Sequence, residues 1–429
     1  MLRELIIENF KSHIKKKTIK LGRITVLIGS NNSGKSSILQ ALVLLAKSLE
    51  NSRVFRPTND IIDLGEYGDI VSNNDEERSI TIGISGNEIV NIGEIYDNDQ
   101  HIKSESADYG FKITANRNDL NEINFYVKSD HSNVKFRWIP AGSDGTIGRP
   151  YERREIKINL NGLNGYIPTL TLPESSVLAQ EFAKQFQGDF LNNIFKKIYY
   201  VPFQRTVGKV GVDITGKKDV EHIVTRNPET TSSNLLSTLG KNKQLQQKVS
   251  KLYESIYQST MSSHNLDPDF RDQEKRNVER ISLIFSNNIS SSSIANLGTG
   301  INQLILLFTI LVGSPRNSVI CLEEPEIHLH PEKQSSLMKE VLKIIMDDDK
   351  QIILTTHSEY ILYPLLAAVS KGILQPEQLA VYHVSQDDSG ESNVECLDVN
   401  NYGQLKGGLK GFWDATTLAM SDFVREKNE

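Results

Sequence analysis

The stretch ITVLIGSNNSGKSSIL, residues 24–39, decides the fold of this chain. Its first five residues are apolar apart from one threonine, which is typical of a parallel strand covered on both faces. A loop of Gly, Ser and Asn follows, and then apolar residues recur at helical spacing, at Ile38, Leu42, Leu45 and Leu49. A strand, a glycine-rich loop and a helix in this order predict one βα unit of an α/β domain.

The loop itself, GSNNSGKS at residues 29–36, matches the phosphate-binding pattern GxxxxGK[ST] between a predicted strand and helix. Gly29 and Gly34 allow backbone N–H groups to turn inward around a triphosphate. Lys35 places a cation between the β and γ phosphates, and Ser36 supplies a hydroxyl to Mg²⁺. The pattern therefore predicts a site for ATP and Mg²⁺. Its binding residues are Gly29, Ser30, Asn31, Asn32, Ser33, Gly34, Lys35, Ser36 and Ser37.

A second stretch, VICLEEPEIHLHP at residues 319–331, runs from apolar residues into adjacent glutamates. Charged groups at the end of a buried strand are costly unless something pairs with them. A P-loop needs such carboxylates beside it, one for Mg²⁺ and one to orient the attacking water. By position Glu323 takes the metal role and Glu324 the catalytic role. A solvated surface pair is the alternative, and the apolar run before it disfavours that alternative.

Three histidines are further candidates for site residues. His357 directly follows the apolar strand QIILTT and is predicted to reach the γ phosphate, although a lone histidine is more often structural. His328 and His330 are spaced like a metal pair, but no third ligand is apparent nearby, so zinc is not favoured.

The remaining sequence predicts an ATPase core interrupted by insertions. Alternating polar and apolar segments between residues 79 and 168 indicate an antiparallel β lobe, whereas residues 205–295 are polar, with a short helical stripe at Leu245, Val249, Leu252 and Ile256. Strands are predicted at NSVICL, QIILTT and LAVYHV, with a helix over about 332–346. The predicted segments are a split P-loop core at 1–72 and 296–400, a mostly β lobe at 73–200, a helical insertion at 201–295 and a tail at 401–429.

Composition sets broad limits on the class of protein. The net charge of −6 argues weakly against coating nucleic acid over a large surface, and the basic run Lys15, Lys16 and Lys17 is typical of solvated surface. The two cysteines fit a reducing cytoplasm, and no apolar run reaches the roughly 20 residues that a membrane span needs. We therefore expect a cytoplasmic protein without a membrane span.

Taken in order, LRELIIENFKSHIKKKTIKLGRITVLIGSNNSGKSSIL and EEPEIHLHP followed by TTHS resemble the ABC-type ATPase heads of the SMC and RecF proteins. The second motif looks most like ATPases of the OLD group and related anti-phage defence ATPases. The resemblance covers about 1–70 and 296–365. It implies an ABC-type P-loop head that binds Mg-ATP between two head-to-tail subunits.

The resemblance also implies residues that act on the partner subunit's nucleotide. NLGTGINQ at 296–303 lies where these families carry the signature loop, and its matching positions are Asn296, Gly298, Gly300 and Gln303. It departs from the LSGGQ of ABC transporters, which weakens a transporter assignment. Without the family, Gly-Thr-Gly before an apolar helix is also explained as a tight turn and cap. EIHLHP would be the D-loop, which crosses the dimer interface.

OLD nucleases carry a TOPRIM domain with a DxD motif after the ATPase, and no DxD follows His357 in this sequence. We therefore expect any cutting to be done by a separate subunit. Arg205, in YYVPFQR, is similar to an arginine of related ATPases, and a phosphate contact, an interface role and an ordinary ion pair all stay open.

The combined prediction is a switch ATPase that works as a homodimer or higher homo-oligomer. Its first biological interpretation is the regulatory ATPase of an anti-phage complex that controls a separate nuclease or toxin. A RecF-like DNA-repair ATPase is the alternative, so nucleic acid is a possible partner, and a transporter ATPase subunit is less favoured.

Overall fold

The computed structural model describes most of the chain. The described residues are 1–48, 57–91, 104–117, 120–128, 133–139, 142–148, 156–157, 159–164, 167–171, 191–205, 212–213, 220, 223–266 and 280–408. They divide between two compact units. The first comprises Met1–Leu21, Ser36–Tyr199 and Asp388–Ser392, and the second comprises Gly22–Lys35, Tyr200–Asp387 and Asn393–Glu429.

The secondary structure of the described residues follows the hydrophobic patterns of the sequence. The strands are β1 (Leu2–Glu8), β2 (Lys17–Lys20), β3 (Ile24–Ile28), β4 (Ile80–Asn91), β5 (Ser104–Ala115), β6 (Leu120–Lys128), β7 (Asn133–Ile139), β8 (Gly142–Gly148), β9 (Ile156–Lys157), β10 (Asn159–Asn164), β11 (Ile167–Thr171), β12 (Ile198–Val201), β13 (Val212–Asp213), β14 (Thr260–Leu266), β15 (Arg280–Ser286), β16 (Ser291–Ser293), β17 (Val319–Glu323), β18 (Gln351–Thr356), β19 (Leu379–Gln386) and β20 (Ser392–Leu397). The α-helices are α1 (Lys35–Ser48), α2 (Tyr67–Ile70), α3 (Leu191–Lys196), α4 (Pro228–Lys241), α5 (Lys243–Tyr257), α6 (Thr299–Gly313), α7 (Pro331–Asp347) and α8 (Glu359–Ser370).

The first unit is built on an antiparallel sheet of eight strands in the order β2-β1-β4-β5-β6-β7-β8-β9. Alternate residues of its central strands are buried, as the period-2 pattern predicts, among them Ile82, Ile84, Phe111 and Ile113. The antiparallel strands expected between residues 79 and 168 are therefore confirmed.

The basic run of the first unit is partly neutralised. Lys15 and Lys17 both form ion pairs with Glu391, at 3.1 and 2.9 Å. Two of the three lysines therefore already have an acidic partner within their own unit.

The second unit contains a six-stranded sheet in the order β12-β17-β18-β3-β19-β20. Strands β17, β18, β3 and β19 pair in parallel, and every residue of β3, β17 and β18 is buried. In register, Glu323 lies beside Thr355, and Thr356 lies beside Ile28. The ends of these three strands therefore meet at one edge of the sheet, which is where open α/β sheets bind ligands.

Helices α7 and α8 both start at a residue whose side chain caps the helix. Pro331 occupies the first turn of α7, and the His330 side chain accepts a hydrogen bond from the Glu332 N–H at its N-cap. Ser358 caps α8 by accepting from the Tyr360 N–H. These caps fix the directions in which the chain leaves β17 and β18.

The segment 201–295 is mixed rather than purely helical. Helix α5 buries Leu245, Val249, Leu252 and Ile256, which confirms the predicted stripe. Strands β13 to β16 accompany the helices and form a small antiparallel sheet, which the prediction of a helical insertion missed. RISLIFS alternates polar and apolar residues over its first four positions, whereas TMSSHNL is mostly polar and shows no such alternation, so the sequence carries only a weak signal for this sheet.

Tyr253 connects α5 to the helix that begins at Thr299. Its ring is fully buried against Phe285 and Phe308, at centroid distances of 4.4 and 4.9 Å. Its hydroxyl donates a 2.8 Å hydrogen bond to the Ile301 carbonyl in the first turn of α6. The start of α6 is thereby anchored within its own unit.

The α/β class with inserted antiparallel strands is confirmed. The boundaries predicted at residues 72, 200 and 295 stay a prediction, and β1 pairs with β4 of the β lobe rather than with the parallel sheet. The two cysteines occupy opposite environments, because Cys321 is buried within β17 and Cys396 is exposed on β20. Among the described helices, none combines the length and apolar character needed to cross a membrane.

Candidate nucleotide site

The glycines of the loop after β3 are required by the backbone. A Cβ atom on Gly29 would lie 2.0 Å from the Val384 carbonyl oxygen of β19, so no side chain fits there. Gly34 has a φ of 98°, a conformation that L side chains rarely adopt. Both positions therefore support the wrapped loop that the sequence predicts.

Lys35 lies with its ammonium group against this loop. Its Nζ donates to the carbonyl oxygens of Gly29 and Ser30, at 3.1 and 2.6 Å, and lies 3.5 Å from Ser33 Oγ. The residue is only 4% exposed. Burial lowers the pKa of Lys35 from its ordinary value, and the nearby Glu324 and Glu326 oppose that shift. The result is a cation held at the loop, next to acidic groups.

The side chains of the other predicted loop residues differ in how far they are exposed to solvent. Ser30, Asn31 and Asn32 are exposed, whereas Ser33 is buried. Ser36 and Ser37 belong to the first turn of α1, where unpaired N–H groups favour anions. Backbone amides of the loop and of this first turn are therefore suited to bind the phosphates of a nucleotide.

Glu323 and Glu324 lie at the C-terminal end of β17, and their side chains have different environments. Glu323 is only 2% exposed, and the Tyr200 hydroxyl hydrogen-bonds to its carboxylate. Burial first, and then the charge and hydrogen bond of Glu323, raise the pKa of Tyr200 well above its ordinary value. Glu324 is half-buried and has a φ of 40°, which is unusual for a residue with a side chain.

The Glu324 side chain lies beside His357, at the end of the neighbouring strand. The two side chains approach to 3.5 Å between Oε1 and Nε2. The hydrogen bond from His357 lowers the pKa of Glu324, burial opposes it, and the charges of His357, Lys35 and Arg205 lower it further. Glu324 is therefore a carboxylate at neutral pH, able to accept a hydrogen bond from water.

Glu326 is a further acidic residue of this site, and sequence reasoning gave it no role. Its Oε1 accepts a 2.6 Å hydrogen bond from the backbone N–H of His357. Burial raises the pKa of Glu326 above its ordinary value, against the effect of that hydrogen bond. The third glutamate of EEPE thus holds the backbone of His357, and its position two residues after the acidic pair was the only signal for it.

The sequence does not decide the role of Arg205. In the structure its guanidinium group contacts the backbone of the acidic pair. Its Nη1 donates to the carbonyl oxygens of Pro202 and Glu323, at 2.9 and 2.8 Å. Its Nη2 donates to the carbonyl oxygen of Glu324, at 2.9 Å. Burial lowers the pKa of Arg205 to about 10, and the charges of the nearby glutamates oppose that shift.

The residues of the predicted signature loop fall into two groups. Asn296 and Gly298 are exposed, and a Cβ atom on Gly298 would have no atom within 4 Å among the described residues. A Cβ atom on Gly300 would instead lie 2.3 Å from the His328 carbonyl oxygen of the same chain. Gln303 is buried, at 6% exposure. Gly300 therefore has a packing role within the chain, while Gly298 leaves the start of α6 open.

Ser36 and Glu323 are the two predicted metal ligands of this site. A hydroxyl from Ser36 and a carboxylate from Glu323 are the hard oxygen donors that Mg²⁺ prefers, and Mg²⁺ usually takes one or two protein ligands beside phosphates and water. Each of these two side chains is therefore of the donor type that Mg²⁺ accepts. Within the described parts of the chain, no group of three or more His, Cys, Asp or Glu residues could hold a metal by itself, and this includes His328 and His330.

Comparisons with known proteins agree with this site. The family model described as AAA ATPase domain matches residues 1–362. A curated OLD nuclease of Thermus scotoductus is 24% identical over 385 residues, which cover 86% of this chain and 60% of that protein. The chain thus spans about three fifths of the length of that relative.

Solved structures of SMC heads are also similar over most of the chain. An SMC head bound to the C-terminal winged-helix domain of ScpA is 14% identical, with a TM-score of 0.44, and covers 93% of this chain and 98% of that one. The SMC head domain from Thermotoga maritima is 13% identical, with a TM-score of 0.40, and covers 93% and 99%.

Proposed function

The chain belongs to the AAA ATPase domain family, and from that premise we propose that it binds Mg-ATP and hydrolyses it to ADP and phosphate. One observation carries the proposal. The phosphate loop with Lys35, and the carboxylate of Glu324 with its partner His357, lie at the ends of adjacent strands of one sheet.

Each group has a role in this reaction that follows from its chemistry. The loop amides and Lys35 bind the phosphate oxygens and neutralise charge that develops during transfer. Glu324 accepts a hydrogen bond from the attacking water and orients it in line with the γ phosphate. His357 donates to Glu324 and faces the same phosphate. Mg²⁺, held by Ser36 and Glu323, would supply further charge neutralisation at the phosphates.

We further propose that two chains close head to tail around ATP. The support is the start of α6, where Gly298 is an exposed N-cap and no side-chain cap is present. The N-terminal N–H groups and the dipole of a 15-residue helix favour an anion. A γ phosphate bound to a partner subunit is an anion of that kind, so ATP would join the subunits and hydrolysis would release them.

The biological role proposed for this switch is control of an effector, a nuclease or toxin, in an anti-phage complex. Similarity to a protein named OLD nuclease supports it, as does the EEPE motif at the site. A RecF-like role on DNA is the competing candidate. ATP-dependent retention of the purified protein on duplex or gapped DNA, without any effector, would favour that candidate instead.

The central experiment replaces Glu324 by glutamine. Glu324→Gln keeps the size of the side chain and one acceptor oxygen but removes the base, so we expect a loss of turnover on the order of 10²- to 10⁴-fold. ATP binding, measured by calorimetry, should persist, and light scattering should show dimers that accumulate with ATP.

The matched control is Glu332→Gln, because Glu332 is an exposed glutamate in the first turn of α7 with 74% of its side chain accessible. It should hydrolyse ATP at the rate of the unmodified protein. Turnover of Glu324→Gln equal to that of the control would reject Glu324 as the catalytic base.

A further inference from the structure

Arg205 is a buried cation whose bonds are all directed at backbone carbonyls. The residue is 3% exposed, and its three hydrogen bonds end on the carbonyl oxygens of Pro202, Glu323 and Glu324. Taking a guanidinium group out of water is expensive unless it is fully engaged. The location of this charge therefore requires a reason beyond simple packing.

Among these three carbonyl groups, that of Glu324 belongs to a residue with an unusual backbone conformation. Glu324 has a φ of 40°, and a residue with a side chain in such a conformation carries a backbone strain that persists only where its surroundings hold it. Its N–H donates to the Thr355 carbonyl oxygen of the adjacent strand, at 3.0 Å. Its own carbonyl is held by Arg205 from the other side. The peptide units on both sides of the strained residue are thus fixed.

This backbone conformation determines where the Glu324 carboxylate lies. With the peptide units held, the side chain leaves the strand end within 3.5 Å of His357. If the carbonyl of Glu324 were released, the residue could relax to a negative φ and the carboxylate would swing away from that partner. The contact of Arg205 with the Glu324 carbonyl therefore bears on where the carboxylate lies.

We propose that Arg205 is a positioning residue for ATP hydrolysis, which fixes the backbone of Glu324 and acts through that residue rather than on the nucleotide. The inference rests on the proposed ATPase activity. The planar guanidinium group is suited to this task, because its two terminal nitrogens bridge the carbonyls of successive residues. A lysine at this position has one point donor and cannot hold both carbonyls in that fixed geometry.

The test compares Arg205→Lys and Arg205→Gln with the unmodified protein. We expect kcat for ATP to fall on the order of 10- to 100-fold, since displacement of a catalytic group by about 1 Å has effects of that size. KM for ATP should change less than about threefold, because the phosphate loop is untouched. The control is Arg316→Lys, since Arg316 is an exposed arginine with 62% of its side chain accessible and ion pairs to Asp348 and Asp349.

A double-mutant cycle separates positioning from a general structural effect. In a Glu324→Gln background the base is already absent, so Arg205→Lys should cause no further loss in residual single-turnover hydrolysis. An equal loss in both backgrounds would overturn the proposal, as would a raised KM at unchanged kcat. Two variants guard against misfolding, and thermal unfolding within a few degrees of the control qualifies each one.

The outcomes also distinguish this inference from the function on which it rests. If Glu324→Gln retains full turnover, the assignment of the base fails and Arg205 has nothing to position. If Glu324→Gln loses turnover while both Arg205 variants keep the kcat of the control, only the role of Arg205 is rejected.

Discussion

Gly300→Ala tests whether the start of α6 is packed against the EIHLHP segment of the same chain. The new Cβ atom would lie 2.3 Å from the His328 carbonyl oxygen, and real Cβ contacts are essentially never shorter than 3.0 Å. The helix start or the loop must therefore retreat by at least about 0.7 Å, and overpacking of this kind costs about 1–3 kcal/mol. Alanine gains about 1 kcal/mol over glycine in a helix interior, so the net loss in the free energy of unfolding is about 0–2 kcal/mol.

Differential scanning fluorimetry without nucleotide measures this loss as a decrease in Tm of up to about 8 °C. Gly298→Ala is the matched control, because its backbone has a φ of −54° and a Cβ atom there would meet no described atom within 4 Å. It should lose under about 1 kcal/mol, the cost of a poorer N-cap. A Gly300→Ala protein that melts at or above the temperature of Gly298→Ala would refute the packing argument.

Two further predictions concern stability. Because burial raises the pKa of Glu326, the folded state holds a proton more tightly than the unfolded state, and the free energy of unfolding should fall as pH rises above the ordinary carboxyl value of 4.5. Glu326→Gln, which keeps an acceptor for the His357 N–H, should flatten that fall in Tm measured against pH, and an unchanged slope would contradict it. Tyr253→Phe removes the hydroxyl bond to the Ile301 carbonyl and should lower the free energy of unfolding by about 1 kcal/mol, whereas Tyr402→Phe, at an exposed ring, should leave Tm unchanged.

The parallel core could be predicted from sequence because its signals are local. An apolar run followed by a glycine loop or by acidic residues needs no distant contact to be recognised, and β3, β17 and β18 were found on that basis. Register then brings Glu323 beside Thr355 without further information, since parallel strands end at the same edge. The position of His357 beside Glu324 follows from the same geometry.

The support of the site could not be predicted, because it depends on contacts between residues far apart in the chain. Arg205 lies more than a hundred residues before the two glutamate carbonyls that it binds, and nothing in YYVPFQR indicates those two targets. Gly300 illustrates the opposite difficulty, since the same glycine fits either a contact with a partner's nucleotide or close packing on His328. Only the three-dimensional structure distinguishes a glycine with open space beside it from one that packs closely against a backbone atom.

The two cysteines can serve as a chemical probe of local unfolding at the acidic end of the parallel sheet. Cys396 is exposed, so a thiol reagent reaches it without any opening of the fold. Cys321 lies two residues before Glu323 on a wholly buried strand, and burial raises the pKa of its thiol, so it reacts only when that strand separates from its neighbours. The ratio of the two labelling rates would measure how often the acidic end of the sheet opens, with no engineered label.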